Sequence, residues 1–187
     1  MTEWNAETAE WYAENYGEYA TNRLAVDALE IARDATIVDV GCGTGAALRH
    51  AAGVATGGRL IGVDPVERMI EIARERLRGH VAEERIDLRL GAASALPVED
   101  GSADIVFAFD SFDHWRDQSA GLAEIRRVLA PGGHLVVVKD LAVPDAAESR
   151  SQFLELAGEE GFAIDREQTI EGEEVSFTMW VCSRTPE

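Results

Sequence analysis

The sequence predicts an α/β fold in which a doubly wound, mostly parallel sheet carries helices on both faces. Short apolar strand-like segments alternate with helical patterns along the chain, and this alternation calls for a parallel sheet. The segments at 36–40 and 104–109 are almost continuously apolar, as in strands buried on both faces. A short link at 172–173 separates the last two strands, which predicts an antiparallel C-terminal hairpin.

The predicted elements follow one another in a regular order and give a seven-stranded sheet. The strands are expected at 36–40, 60–63, 86–90, 104–109, 135–138, 162–169 and 174–182. The helices are expected at 24–31, 45–55, 65–79, 117–130 and 146–160. With no repeat or low-complexity linker visible, residues 1–187 are predicted to form one domain, with 1–33 as an N-terminal helical cap and 34–187 as the core.

Aromatic residues are concentrated before the first strand. Tyr12, Tyr16 and Tyr19 have the i, i+4, i+7 spacing of one helix face. Two interpretations remain open. Either an N-terminal helix docks this face on the body of the domain, or it forms a flap over a bound ligand.

Composition limits the classes of partner. The chain has 17 basic and 35 acidic residues, a net charge of −18, and such a field repels nucleic acid and anionic lipid. No apolar run has membrane-spanning length, and the first residues lack the features of a signal peptide, so a cytoplasmic protein with no membrane partner is expected. The two cysteines do not suggest a disulfide framework, and no cluster has the spacing of metal ligands. The oligomeric state is not predicted.

The most informative stretch is residues 37–45, a buried strand that runs into three glycines at alternate positions. Glycine allows positive φ and lets the backbone approach a ligand closely. The helix expected next would point its free N–H groups at this turn. Gly41, Gly43 and Gly45 therefore predict a site that holds a small molecule against the backbone.

Asp64 ends the second strand, 19 residues after Gly45. A carboxylate there can accept hydrogen bonds from the two hydroxyls of a ribose, although Asp64 also resembles a helix N-cap. Beside the glycine turn, the ribose interpretation predicts a nucleoside cofactor. A dinucleotide turn would have a glycine at the sixth position, where this chain has Ala46, so a pyrophosphate is not expected.

Five segments, taken together and in order, resemble class I S-adenosylmethionine-dependent methyltransferases. They are Val38-Asp39-Val40-Gly41-Cys42-Gly43-Thr44-Gly45, Gly62-Val63-Asp64, Gly91 through Pro97, Asp104 through Trp115, and Arg127-Val128-Leu129-Ala130-Pro131-Gly132-Gly133. The resemblance covers roughly residues 35–140, and the branch it is most similar to is the small-molecule enzymes of ubiquinone and menaquinone biosynthesis. It implies a Rossmann-like seven-stranded fold and S-adenosyl-L-methionine as the cofactor.

The resemblance also implies the residues that contact the cofactor. They are Asp39, Gly41, Cys42, Gly43, Gly45, Asp64, Pro65, Met69, Ala92, Ala93, Phe109, Phe112 and Tyr16. In this assignment the glycines line the methionine moiety and the ribose, and Ala92 and Ala93 flank the adenine. Asp39 either holds the glycine turn, reaches the cofactor amino group through water, or is purely structural.

Two positions depart from the family pattern. The family often has an acidic residue where Ala92 stands, and the loss of its hydrogen bond to adenine would cost on the order of 1 kcal/mol. The family often has two histidines before the tryptophan, but here the pair is Asp113-His114. His114 is the candidate general base, with Asp110 and Asp113 as acidic alternatives; otherwise His114 caps or packs with Trp115.

The expected function is methyl transfer from S-adenosylmethionine to a small-molecule acceptor by in-line displacement. Two alternatives stay open: a cofactor-binding regulator without catalysis, and a nicotinamide oxidoreductase. The sequence does not predict the acceptor or whether oxygen, nitrogen, carbon or sulfur is methylated.

Overall fold

A computed structural model describes residues 4–141 and 146–186 and confirms the predicted fold. The sheet has seven strands in the order β3-β2-β1-β4-β5-β7-β6. The strands are β1 Ile37–Val40, β2 Leu60–Asp64, β3 Ile86–Leu90, β4 Ala103–Phe109, β5 Leu129–Asp140, β6 Phe162–Gly172 and β7 Val175–Arg184. All neighbours pair in parallel except β7, which is antiparallel to both β5 and β6.

Helices cover both faces of this sheet. They are α1 Ala6–Asn15, α2 Ala20–Asp27, α3 Ala46–Val54, α4 Glu67–Leu77, α5 Gln118–Val128 and α6 Ala146–Glu159, with short 3₁₀ turns at Glu83–Arg85 and Phe112–His114. Within the described ranges, no helix is both long enough and apolar enough to cross a membrane.

The core consists of two apolar clusters, one on each face. Successive residues of a strand point to opposite faces, and accordingly Phe107 of β4 joins the cluster beneath α3 and α4 while Val106 joins the cluster beneath α5 and α6. Central strands buried on both sides explain the continuous apolar runs in the sequence.

The single helix face predicted for Tyr12, Tyr16 and Tyr19 is wrong. Tyr16 caps the C-terminus of α1 and Tyr19 precedes α2, so the chain reverses between them. Gly17 permits this reversal because a Cβ there would lie 2.5 Å from the Ala13 carbonyl oxygen and from Arg76 Nη1. The first packed helix consequently begins at Ala20 and not at residue 24.

Strand β5 is longer than predicted because it includes the turn at Pro131-Gly132-Gly133. Ala103 pairs with Leu129 and Ile105 with His134, so a register shift in the β4–β5 ladder accommodates the extra residues. The strand therefore begins directly after α5 and ends at Asp140, at the same edge of the sheet as the ends of β1, β2 and β4.

Candidate active site

The glycine turn has the backbone conformation that its sequence predicts. Gly41, Gly43 and Gly45 have φ values of 77°, 51° and 75°. A Cβ at Gly41 would lie 2.5 Å from Ser111 Cβ, so a side chain has no room there. Gly45 is the N-cap of α3 without a capping side chain, so the start of this helix faces the turn with its free N–H groups.

Asp64 ties the glycine turn to the end of β2. Its Oδ2 accepts the Gly43 N–H at 3.1 Å and its Oδ1 accepts the Val66 N–H at 2.9 Å. The N-cap interpretation is wrong, because the N-cap of α4 is Val66, without a side-chain capping bond. Burial raises the pKa of Asp64 to about 6 although both backbone bonds lower it. Each carboxylate oxygen has a further lone pair, which leaves Asp64 able to accept ligand hydroxyls.

Asp39 is a second buried carboxyl in the same place. Only 2% of its surface is exposed, and no described residue gives its carboxylate a hydrogen bond that would offset this burial. Burial, and secondly the charge of Asp64, raises the pKa of Asp39 to about 8. A cationic ligand group beside it would favour the ionised form and lower this pKa.

A recess of about 300 Å³, including its open mouth, lies over these groups. Its lining consists of Tyr12, Gly17, Asn22, Asp39, Gly41, Cys42, Gly43, Thr44, Ala46 and Phe109. Five predicted cofactor residues are among them: Asp39, Gly41, Cys42, Gly43 and Phe109. Burial raises the pKa of the Cys42 thiol well above its usual range, which makes this cysteine a space-filling wall and not a nucleophile. We call this space the cofactor recess after the predicted cofactor residues in its lining.

Tyr12, not Tyr16, covers the cofactor recess. Tyr12 Cε1 lies 3.7 Å from the position of a Cβ at Gly43. Burial, followed by the charges of Asp110, Asp39 and Asp64, raises the pKa of Tyr12 to about 12. Tyr16 is 40% exposed and is absent from the recess lining. Helical spacing alone could not distinguish the two tyrosines, because the break at Gly17 is a tertiary effect.

Side chains from the core hold the N-terminal segment over the recess. Thr44 Oγ1 donates to the Gly17 carbonyl at 2.6 Å, and Arg76 Nη2 donates to the Ala13 carbonyl at 2.6 Å. Glu18 accepts from Arg49 at 2.5 Å and from Arg76 at 2.6 Å. These contacts could not be predicted from the sequence because each joins residues more than 25 positions apart.

The predicted adenine loop lies beside Asp64. The Gly91 N–H donates to the Asp64 carbonyl at 3.1 Å, which places the next residues at the end of β2. Ala93 and Met69 are buried, whereas Ala92 and Pro65 are exposed. These four predicted positions flank Asp64 but are not among the residues that line the cofactor recess.

The segment after β4 adjoins the recess on the other side. Phe109 stacks on Phe107, with 4.6 Å between ring centroids. Asp110 has a φ of 48°, in the left-handed region that side chains rarely adopt and that is enriched at functional sites. Its Oδ1 accepts the Asp140 N–H at 2.7 Å, and burial raises its pKa to about 6. Ser111 Oγ donates to the Val40 carbonyl at 2.6 Å and locks this segment against the glycine turn.

Phe112 and His114 point to different surroundings. Phe112 packs on Trp115 and Phe153, with centroid separations of 5.1 and 5.2 Å, and lies outside the lining of the cofactor recess. His114 is exposed on one side, and its ring lies edge-on to Trp4 at 5.5 Å. Desolvation lowers the pKa of His114, so the imidazole is neutral and able to accept a proton at neutral pH.

A second recess of about 250 Å³, including its open mouth, lies beyond the ends of β4 and β5. Its lining consists of Asp110, Ser111, Phe112, Asp113, Val137, Val138, Lys139, Ser149, Arg150, Phe153 and Trp180. We call it the Lys139 recess. Lys139 and Ser149 both contact the Asp113 carboxylate. Within the described residues, 4–141 and 146–186, no group of three or more His, Cys, Asp or Glu side chains has the arrangement of a metal site.

Comparison with known proteins identifies the family. A family model described as a methyltransferase domain matches residues 38–137. An O-methyltransferase of Penicillium expansum is 31% identical over 146 residues, covering 76% of this chain and 52% of that protein. A demethylmenaquinone methyltransferase of Symbiobacterium thermophilum is 39% identical over 104 residues, covering 55% of this chain and 41% of that protein.

The chain thus spans about half the length of these curated relatives. The fold matches a SAM dependent methyltransferase from Aquifex aeolicus with a TM-score of 0.77 at 16% identity, over 96% of this chain and 99% of that one. The resemblance found in the sequence is confirmed: the chain belongs to the methyltransferase-domain family, among the class I S-adenosylmethionine-dependent methyltransferases.

Proposed function

We propose that this protein transfers a methyl group from S-adenosylmethionine to a small-molecule acceptor. One observation carries the proposal: the glycine turn, bonded through Gly43 to Asp64, stands beside the buried Asp39 at one recess. Family membership supports the methyl-transfer chemistry. The Penicillium and Symbiobacterium relatives are named as an O-methyltransferase and a demethylmenaquinone methyltransferase, which supports a small-molecule acceptor. The net charge of −18 argues against a nucleic-acid acceptor.

The residues present fit the cofactor. Positive φ at Gly43 leaves the backbone without a side chain on the side that faces Tyr12, and Asp64 has lone pairs left for ribose hydroxyls. Asp39 offers a carboxylate to the amino group, and the face of Tyr12 offers a wall to a cation. When bound, S-adenosylmethionine supplies a methyl group already activated on a positively charged sulfur.

The protein itself then has mainly to align the acceptor with the methyl group and to enclose the cofactor. Phe109 and Asp110 lead from the cofactor recess directly to the Lys139 recess, so they can direct an acceptor toward the methyl position. The N-terminal segment, held by Thr44 and Arg76, excludes water from the cofactor side.

His114 is proposed as the base that takes a proton from the acceptor. Its imidazole is exposed and neutral, and so has the protonation state that this role needs. The variant H114Q should then lower the rate of methyl transfer by about 100-fold at neutral pH. Its affinity for S-adenosylhomocysteine should stay unchanged. A variant as fast as wild type would show that His114 only packs with Trp4.

Measurements of binding and of turnover distinguish the proposed function from the two alternatives. Calorimetric titrations with S-adenosylmethionine, S-adenosylhomocysteine and NAD should show binding of the first two alone. Binding of NAD with no response to the adenosyl ligands would overturn the proposal in favour of an oxidoreductase. Methyl transfer is then assayed with labelled S-adenosylmethionine against a panel of hydroxylated, amino and thiol metabolites. Tight cofactor binding with no product across the panel would favour a regulator.

A further inference from the structure

Helix α1, which carries Tyr12 over the cofactor recess, buries little apolar surface of its own. The buried residues within it are two alanines, Ala9 and Ala13, and each of these side chains is a single methyl group. Trp11 on the same helix is 55% exposed. Segments that bury few apolar groups open locally at a lower free energy than the rest of a fold. Polar contacts must therefore supply much of what keeps α1 in its docked position.

Strong polar contacts meet at the bend between α1 and α2, residues 16–19. Glu18 Oε1 accepts from Arg49 Nη2 at 2.5 Å and from Arg76 Nη1 at 2.6 Å. Each arginine makes a second hydrogen bond that fixes its guanidinium group. Arg49 Nη1 donates to the Thr44 carbonyl in the glycine turn at 2.6 Å, and Arg76 Nη2 donates to the Ala13 carbonyl at 2.6 Å. Glu18 thus connects the glycine turn to the C-terminal end of α1.

The ion pairs of Glu18 are partly open to water. The Glu18 side chain is 59% exposed, whereas the side chains of Arg49 and Arg76 are mostly buried. A single exposed ion pair contributes little to stability, but here two guanidinium groups converge on one carboxylate oxygen with their geometry fixed by second bonds. Because salt screens exposed charges, the contribution of Glu18 should fall as ionic strength rises.

Tyr12 is the side chain whose position depends on this connection. Its Cε1 lies 3.7 Å from the position of a Cβ at Gly43, and Tyr12 lines the cofactor recess. Glu18 is not among the residues that line this recess. Any influence of Glu18 on a ligand there consequently passes through the docking of α1 and the ring of Tyr12.

We propose that Glu18 is a positioning residue that keeps Tyr12 over the bound cofactor and thereby limits the rate at which the cofactor leaves. This inference rests on the proposed function, because it takes the ligand of the recess to be S-adenosylmethionine or its product S-adenosylhomocysteine. When the bonds of Glu18 open, α1 moves away and uncovers the recess; when they form again, the recess is covered. Glu18 therefore acts on cofactor exchange and not on the transfer step itself.

The test measures how fast S-adenosylhomocysteine leaves the full chain. This ligand carries no net charge, so salt has little effect on it through the overall field of the protein. The protein is loaded with labelled S-adenosylhomocysteine and chased with an excess of unlabelled ligand, at about 0.05 M and about 0.5 M NaCl. Wild type should release the label about threefold faster or more at the higher salt concentration, because the ion pairs of Glu18 are then screened.

The variant E18Q keeps the size of the side chain and removes its charge. At the lower salt concentration it should release S-adenosylhomocysteine about tenfold faster than wild type, and it should lose most of the salt dependence. E173Q is the matched control, since Glu173 pairs with Arg23 of α2 and its side chain is 61% exposed. This control should release the ligand at the wild-type rate. The melting temperature of each variant confirms that the fold is intact.

A double-mutant cycle tests whether Glu18 acts through Tyr12. The variant Y12A removes the ring over the recess, so release should already be fast and E18Q should add little to it. A Glu18 that only stabilised the fold would speed release by the same factor with or without the ring of Tyr12.

Three results would overturn the inference: wild-type release by E18Q, an equal factor for E18Q in the presence and absence of the Tyr12 ring, or release accelerated as much by E173Q as by E18Q. A wild-type protein that does not bind S-adenosylhomocysteine would instead overturn the proposed function, and this inference with it.

Discussion

The two recesses at the carboxyl edge of the sheet are built in different ways. The cofactor recess is shaped by backbone: glycines with positive φ, and a carboxylate, Asp64, that accepts backbone N–H groups. The Lys139 recess is shaped by side chains from four separate segments, around an ion pair between Lys139 and Asp113. The cofactor recess is fixed by local backbone conformation, and the Lys139 recess by how distant segments pack.

We infer from this difference that the two recesses have different roles in the site. A backbone-lined recess tolerates few residue types, because a Cβ at Gly41 would overlap Ser111. Apart from Ser111, which contacts Gly41 and Val40, the side chains that line the Lys139 recess can be substituted singly to change its shape and charge without touching the turn. We therefore expect cofactor binding to depend on backbone geometry and acceptor choice to depend on the side chains around Lys139.

Substitution of Gly41 tests the backbone part most severely. In G41A, positive φ costs about 1–2 kcal/mol and the overlap with Ser111 a further 1–3 kcal/mol. The free energy of unfolding, measured in urea, should therefore fall by roughly 2–5 kcal/mol. S-adenosylhomocysteine binding should be lost or greatly weakened.

Gly79 provides the matched control. Its φ of 74° is nearly the same as that of Gly41, but a Cβ there would meet no atom within 4 Å. G79A should show the conformational cost alone and keep full cofactor affinity. Equal losses of stability and of cofactor affinity in the two variants would mean that the close approach of Ser111 to Gly41 contributes to neither.

The next effect in size is expected at Asp64. D64N keeps the size of the side chain but replaces an acceptor by an amide, which cannot accept from both Gly43 and Val66 and still serve a ribose. Affinity for S-adenosylhomocysteine should fall by about 10- to 100-fold, the effect of one to two charge-assisted hydrogen bonds, by calorimetry.

Asp104 is the control for this variant. Its Oδ2 accepts the Thr36 N–H at 2.7 Å, at the opposite edge of the sheet from the cofactor recess. D104N should lower stability by a similar mechanism and leave cofactor affinity unchanged. If D104N weakened binding as much as D64N, the loss would reflect general loosening of the sheet and not a ligand contact.

The sequence predicted the backbone part of the site far better than the side-chain part. Gly41, Gly43 and Asp64 could be found because a turn with positive φ and the end of a strand are local features. The parallel sheet followed from the alternation of elements, and the antiparallel C-terminal hairpin from the short link at 172–173. The bounds of β5 were missed because a register shift opposite Ala103 depends on pairing between strands.

The rest could not be predicted because it depends on which distant segments meet. Tyr12 and Tyr16 are equivalent by helical spacing, and Tyr12 lies over the recess because of how α1 docks, with Arg76 and Thr44 bonded to its C-terminal end and to Gly17. Phe112 follows Phe109 by three residues, yet it lines the Lys139 recess. Trp180 lies 41 residues from Lys139 in the sequence and reaches the same recess through the antiparallel pairing of β7 with β5.

The smallest expected effect is the change in stability between pH 7 and 8 that the titration of Asp39 causes. Its pKa is about 8 in the folded state against 3.8 in the absence of the fold, so the folded protein binds one more proton than the unfolded chain between these values. The contribution of Asp39 to stability is then fully present below pH 3.8 and is lost as pH rises toward 8, by at most about 1.4 kcal/mol per pH unit.

The window from pH 7 to 8 isolates Asp39, because burial raises the pKa of Asp64 and Asp110 only to about 6. Urea unfolding at pH 7.0, 7.5 and 8.0 should show declining stability in wild type and a flat profile in D39N. D104N should keep the wild-type slope. Parallel slopes in wild type and D39N would contradict a protonated Asp39, and the cofactor recess would then hold an ionised carboxylate before any ligand arrives.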